Sequence, residues 1–376
     1  MVTSDNSRTC IASLRSIRPH AGWCANYEFE DVVANIEDAD LLNLRPGPAF
    51  ASADWVIQRM LCRPGVRSVA RHVNPNLVPI TLKRDYDLFF FVCMHPFDLL
   101  YLNGIRGWRD RCKTKIVYLL EAYPGWTRKW DFHFKLLKDF DHVCVGLLGM
   151  VDPIQRLIDQ PCHYVPFAVD TLRFTPLLTP TTRSIDVYSL GRRVESTHQV
   201  LLRLHQQNKI FYIYDTIPGQ LLRPLDYLQH RDLVAGIAKR SRFFVAYPAK
   251  VDVPDEARGQ SETGARYYEG AAAGTILFGS TPTVASFRQE FDWPDSTIDI
   301  PDEATLMYWL EEARRNPERM NAISRRNAIE ALKRHDWLHR WKQILQIAGM
   351  DPTQKQHERE DQLNTLADRA TREPGI

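Results

Sequence analysis

The stretch SETGARYYEGAAAGTILFGS, residues 261–280, gathers the side chains best suited to chemistry. It predicts a loop, a short helix over 264–273, a stop at Gly274 and a buried strand over 275–278. Arg266 and Glu269 are three residues apart and therefore share one face of that helix. Ala271, Ala272 and Ala273 let the helix lie close against a sheet. Gly264 would leave room for a ligand to approach the first backbone amides, where the helix dipole favours an anion. A cation, a carboxylate and bare amides at one helix start could hold a phosphate beside a hydroxylated ring. The same residues also suit an ordinary helix–strand unit with a surface ion pair.

A second candidate is the turn Gly191-Arg192-Arg193, between an expected strand over 185–190 and an expected helix over 194–206. A glycine with arginines at such a turn can clamp a diphosphate, because ligands gather at the carboxyl ends of parallel strands. The plainer alternative is two solvated arginines on a loop. Neither the G-x-G-x-x-G dinucleotide fingerprint nor a P-loop is present, which argues against a nicotinamide enzyme and a P-loop nucleotidase. Asp38-Ala39-Asp40 is a D-x-D triplet, but it precedes an apolar strand instead of following one, so no metal site is assigned to it.

Elements that could position these groups alternate along the chain. Strands are expected over 10–17, 40–44, 87–94, 115–120, 142–147 and 162–165, with helices over 27–36, 53–61, 96–112, 126–139 and 153–159. Residues 87–94, DLFFFVCM, form a continuous apolar run of the kind buried on both faces of a parallel sheet. Beyond the proline-bounded stretch 164–176, strands are expected over 185–190, 209–214, 243–246, 275–278 and 297–300, with helices over 194–206, 225–240, 303–315, 317–333 and 335–347. The pattern predicts an α/β protein with doubly wound parallel sheets. Residues 351–376 are polar and charged and are expected to form a mobile tail.

Residues 261–274 resemble the donor-binding helix of group 1 glycosyltransferases, the GT-B family 4 type. That motif is E-x-F-G-x4-E followed by small residues and a glycine. Gly264 falls on the motif glycine, Glu269 on the second glutamate and Gly274 on the closing glycine. Ser261 takes the first glutamate position and Glu262 comes one residue late, so the E-x7-E signature is broken. The form R-x-x-E-x-x-A-x-G, made by Arg266, Glu269, Ala272 and Gly274, is similar to the spore-coat-type branch. YVPFAVDTLRFTP, residues 164–176, resembles the GT-B interdomain connection, and residues 335–347 resemble the terminal helix that crosses back to the first domain.

The resemblance implies two Rossmann-like domains facing across a cleft. An acceptor-binding domain would span 1–167, a linker 168–183, a nucleotide-sugar-binding domain 184–334 and a returning helix 335–350. It implies transfer of a sugar from a nucleotide-diphosphate donor to an acceptor hydroxyl, with retention of configuration and without a metal or cofactor. Glu269 would hold the ribose; Gly191, Arg192, Arg193, Ser261, Gly264 and Arg266 would hold the rest of the donor. Family members carry a lysine five residues after the turn arginine, where this chain has Thr197 with His198 beside it. Glu262 is a candidate contact to the donor sugar. On the acceptor side, His95 follows the strand 87–94 and its ordinary pKa suits a general base or sugar contact. His95 could equally cap the helix after it. Glu121, Tyr123 and Trp126 could line an acceptor pocket for a saccharide, small molecule or protein, or belong to the core. An epimerase or hydrolase on the same fold, and a non-catalytic scaffold subunit, remain open alternatives.

Composition sets the outer limits. The 376 residues suffice for two domains, and 25% charged with 44% hydrophobic residues fits a soluble globular enzyme. A formal net charge of +2 gives no reason to expect nucleic acid as the partner. The seven cysteines (10, 24, 62, 93, 112, 144, 162) follow no C-x-x-C spacing, which suggests reduced thiols and a cytoplasmic location. No apolar run approaches the ~18 residues of a membrane span. The basic cluster over 106–115 is read as a solvated helix face, with peripheral contact to an anionic membrane as the alternative.

Overall fold

The computed structural model describes residues 7–61, 63–179, 181–217 and 221–373; Cys62 lies outside them. The chain divides into two compact units: unit 1 is Met1–Pro166 with Lys342–Lys355, and unit 2 is Phe167–Trp341 with Gln356–Ile376.

Unit 1 contains β1 (Thr9–Ser13), β2 (Asp40–Asn43), β3 (Ile80–Thr81), β4 (Tyr86–Cys93), β5 (Ile105–Arg106), β6 (Cys112–Leu119), β7 (His142–Val145) and β8 (Cys162–Tyr164). Six of them form a parallel sheet in the order β2-β1-β4-β6-β7-β8, while β3 and β5 pair separately. The apolar run in β4 is buried because the sheet is covered on both sides: Phe90 meets Phe29 edge-on at 5.8 Å, and its neighbour Phe89 stacks on Trp108 at 4.9 Å. Connections leave β1 in opposite directions, so a switch point lies between β1 and β4.

Unit 2 contains β9 (Ile185–Ser189), β10 (Tyr212–Tyr214), β11 (Ser241–Ala246), β12 (Ile276–Gly279) and β13 (Ile298–Asp299), a parallel sheet in the order β10-β9-β11-β12-β13. Phe244 and Leu277 belong to one apolar cluster and Phe243, Val245, Ile276 and Phe278 to another, so successive residues serve opposite faces. The helix Ala265–Ala272 packs on the first of these. Its Gly270 permits that approach, since a Cβ there would run into Leu277 and Phe244. The second switch point falls between β9 and β11.

Several expected elements differ. Residues 96–112 are not one helix but a 3-10 helix Pro96–Gly104 followed by β5 and a turn with Gly107 at φ +86°. The basic cluster there is therefore no helix face, and three of its five cations are paired: Arg109 with Asp139 at 2.6 Å, Arg111 with Asp85 at 3.1 Å and Lys115 with Asp141 at 3.0 Å. Residues 126–139 break into two single turns and a 3-10 segment, Trp126–Lys129, Asp131–Phe134 and Lys135–Asp139. The stretch expected as a mobile tail is the helix Gln354–Arg372, with Gln356, Leu363, Leu366, Ala367 and Ala370 buried. Its apolar stripe is narrow but has helical period, and Arg359 anchors it by donating to Asp170 Oδ1 at 2.7 Å and to both Asp336 oxygens at 2.8 Å. The helix Trp337–Ala348 starts in unit 2 and ends in unit 1. No helix among the described residues is long and apolar enough to cross a membrane.

Candidate active site

The turn after β9 and the start of the helix Ala265–Ala272 meet in unit 2, beside its switch point. Gly191 adopts φ +81°, and a Cβ on it would lie 3.4 Å from Arg266 Nη2. The two motifs chosen from sequence are thus brought together: the glycine turn packs against the guanidinium of the helix arginine. The Gly191 amide donates to Asp215 Oδ1 at 3.1 Å, and Arg193 donates to the same oxygen at 3.1 Å and to the Asp215 carbonyl at 2.8 Å. Arg193 also lies over the Tyr214 ring at 5.5 Å. Arg192 points elsewhere, bidentate on Asp252 at 2.5 and 2.7 Å, with both side chains 45% exposed.

Glu269 sits at the centre. Its Oε2 accepts from Arg266 and its Oε1 accepts from Arg231 Nη1 at 2.5 Å. The Glu269 and Arg231 side chains are 1% and 3% exposed, whereas Arg266 is 28% exposed and forms the open side of the triad. Burial pushes the Glu269 carboxyl up, but Arg266 and Arg231 together outweigh it and hold the group below its ordinary range. Arg231 rests on Phe174 at 4.8 Å. Tyr188, in β9, is buried beside the cluster, and burial raises its phenol pKa. His230 precedes Arg231; partial burial, then Arg231 and Arg266, lower its pKa and keep the ring neutral.

Gly264 caps the helix with extended backbone (φ −82°, ψ 161°). Its glycine identity also serves packing: a Cβ would lie 3.3 Å from the Tyr247 carbonyl and 3.6 Å from the Ala249 amide. Glu262 is buried, and its carbonyl accepts from Ala249 at 2.9 Å; Ser261 is half-buried beside it. Thr197 and His198 are bonded to tyrosines, Thr197 to Tyr247 at 2.7 Å and His198 Nδ1 to Tyr212 at 2.9 Å.

In unit 1 a second cluster occupies the carboxyl ends of β4 and β6. The His95 ring stacks on Phe97 at 5.1 Å, tilts against Trp126 at 5.1 Å and meets Trp23 edge-on at 6.3 Å. Its amide donates to Asp98 Oδ2 at 3.1 Å, and Asp98 Oδ1 accepts from Arg18 at 3.0 Å. Burial pushes the Asp98 carboxyl up to about 6 against the opposing pull of Arg18. Tyr123 and Trp126 are buried in contact at 5.2 Å, and Glu121 is half-buried at the end of β6. Asp38 and Asp40 are bound by protein groups, Asp38 by Lys355 and Asp40 by Arg84 and the Tyr86 hydroxyl.

Sequence reasoning missed Arg231, Asp215 and Arg18, the arginine that holds Asp98. Arg231 had a signal: buried Val234, Ala235 and Ala238, extended back by helical period, land on position 231, so a cation stands in an apolar stripe. Asp215 and Arg18 lie on loops and carried none.

Residues 220–346 match the family model described as "Glycosyl transferase-like". No curated protein matches the chain. Among solved structures, sucrose-phosphate synthase from Thermosynechococcus elongatus is similar in fold at TM-score 0.53 and 11% identity, covering 90% of this chain and 97% of that one. HepE from Anabaena, in complex with UDP and glucose, aligns at TM-score 0.50 and 9% identity, covering 91% and 99%. The family match covers the later part of unit 2 and includes Arg266, Glu269 and Gly274, while the likeness in fold to these glycosyltransferase structures runs along nearly the whole chain.

Proposed function

We propose that this protein transfers a sugar from a nucleotide-diphosphate donor to an acceptor hydroxyl, with the donor bound in unit 2. The observation that carries the reading is Glu269, held ionised by Arg231 and Arg266 where the Gly191 turn and the helix start meet. A carboxylate has about four acceptor positions and two are used by the arginines, which leaves two for a pair of ribose hydroxyls. Arg266, the exposed member, swings aside to admit them and meets the diphosphate. Positive charge aimed at the leaving diphosphate stabilises the charge that develops as the sugar–phosphate bond breaks. Arg193 adds to it once released from Asp215. Arg192 is available at small cost, since an exposed ion pair such as its bridge to Asp252 contributes only about 0–1 kcal/mol. With these cations in place the reaction needs no metal, and we assign retention of configuration. HepE binds UDP and glucose, which makes UDP-sugars the first donors to test. Ser261, Glu262 and Gly264 shape the wall of the donor site; Glu262 is the candidate contact to the donor sugar. His95 is the candidate acceptor-side base, with Glu121, Tyr123 and Trp126 as the acceptor-binding surface of unit 1.

The test is a thermal-unfolding titration with nucleoside diphosphates and nucleotide sugars. A ligand at a hundred times its Kd adds about 2.7 kcal/mol, a shift on the order of 5 °C or more. Stabilisation by one donor, lost in Glu269→Ala and Arg266→Ala, supports the assignment. No shift with any nucleotide sugar rejects it and leaves a non-catalytic scaffold; donor consumption without acceptor would point to a hydrolase or epimerase.

A further inference from the structure

Residues 45–84 carry seven lysines and arginines against one acid, Asp54, whereas the whole chain has a net charge of only +2. The rest of the chain is therefore net acidic; of the seven, Arg84 and Arg71 are paired with Asp40 and Asp139 from outside the segment, and the surplus rests with Arg45, Arg59, Arg63, Arg67 and Lys83. It also carries five large exposed apolar side chains: Trp55 (57% exposed), Val56 (45%), Val69 (64%), Val73 (38%) and Val78 (49%).

The helix Phe50–Leu61 explains how both properties reach the surface. Its inner face buries Ile57 and Leu61, sets Phe50 against Tyr101 at 5.7 Å and turns Asp54 inward, with Oδ1 buried. The outer face shows Trp55, Val56 and Arg59, and the Arg59 guanidinium lies 4.0 Å over the Trp55 ring. Arg63 is exposed just beyond the helix end, and Val69 projects from the next turn. Inward placement of the single acid leaves a face of cations and apolar groups.

We propose that this face of unit 1 docks on an anionic lipid bilayer. Lipid phosphates complement the arginines, the tryptophan belongs at the headgroup level, and the valines enter the acyl boundary. A soluble polyanion would satisfy only the charges, because exposed valines gain nothing against a phosphate backbone. The proposal is independent of the sugar-transfer assignment.

The full chain is sedimented with vesicles of phosphatidylcholine alone and with vesicles containing equal phosphatidylglycerol, at low and high salt. Binding only to the anionic vesicles, weakened by salt, is expected. Each basic residue contributes about 1 kcal/mol, or about fivefold, so Arg59→Glu/Arg63→Glu should weaken binding by at least about 25-fold. Trp55→Ser/Val56→Ser should also release the protein, with Val69→Ser/Val73→Ser as an independent apolar variant if the first unfolds. Unchanged binding of the folded variants, equal binding to neutral vesicles, or no binding to anionic ones would overturn the proposal. So would retention on a DNA duplex as strong as on the anionic vesicles.

Discussion

Arg231 Nη1 donates to Glu269 Oε1 at 2.5 Å inside unit 2, with both side chains almost sealed from water. Arg231 comes from the helix Tyr227–Lys239 and Glu269 from the helix Ala265–Ala272, so the pair joins the two helices beside the switch point. It also fixes the Glu269 carboxylate from behind, and the exposed Arg266 closes it from the front. On the proposed reading, Arg231 positions Glu269 and Arg266 is the cation that meets the donor.

Arg231→Met should cost about 3–5 kcal/mol at neutral pH, the usual cost of removing one partner of a buried ion pair. The sign of its pH dependence follows from Glu269, whose folded pKa lies below the unfolded value of 4.5. Stability from that shift is present above the unfolded pKa and is lost as pH falls through the folded one. Thermal unfolding should show a larger deficit at pH 7 than at pH 4. Equal deficits would mean that the pair does not control the Glu269 charge.

Gly191→Ala tests the contact between the turn and Arg266. A left-handed backbone costs a non-glycine residue about 1–2 kcal/mol, and the new Cβ would press on the guanidinium at 3.4 Å. Nucleotide affinity should fall at least about tenfold, while the melting temperature falls only a few degrees. Gly65→Ala, whose Cβ would meet nothing within 4 Å, should change neither. An unchanged nucleotide Kd in Gly191→Ala would remove the turn from the donor site.

What the sequence disclosed, it disclosed through local signals. The run in β4, the glycine after β9 and the R-x-x-E spacing each reflect one short element and its period, and each is found where expected. Arg231 and Asp215 act over 38 and 24 residues of separation, and spacing says nothing about such partners. The close approach of residues 247–249 to Gly264 comes from a loop that has no pattern. The helix Gln354–Arg372 was obscured because its stripe is narrow and its anchor, Arg359, looks like any other charge until Asp170 and Asp336 are found beside it.

Glu30 should make unit 1 less stable as pH rises. It is buried, bonded to Ser13 and Arg15, and its Oε1 has no hydrogen-bond partner. Burial, only partly offset by Arg15, pushes its carboxyl up from 4.5 to about 7. A raised folded pKa gives stability that is complete below pH 4.5 and is lost as pH rises through about 7. Urea unfolding should therefore show wild type losing up to about 3 kcal/mol relative to Glu30→Gln between pH 4.5 and 8. Parallel stability curves across that range would refute the burial of an only partly compensated carboxyl at this position.

Arg359→Met should release the last helix. Asp336 is fully buried and Asp170 nearly so; burial pushes the Asp336 carboxyl up, but Arg359 outweighs it and keeps the group ionised. Removing Arg359 leaves two buried carboxylates without their shared cation, a loss of about 3–5 kcal/mol, or on the order of 10 °C in Tm. The amides of residues 354–372 should then exchange with solvent faster than the rest of unit 2, because the apolar side chains left to hold the helix are only Leu363, Leu366, Ala367 and Ala370. Lys355→Met, which breaks only the exposed pair with Asp38, should leave both Tm and exchange unchanged. If Arg359→Met behaves like Lys355→Met, the helix is held by its apolar stripe and the buried carboxylates find another partner.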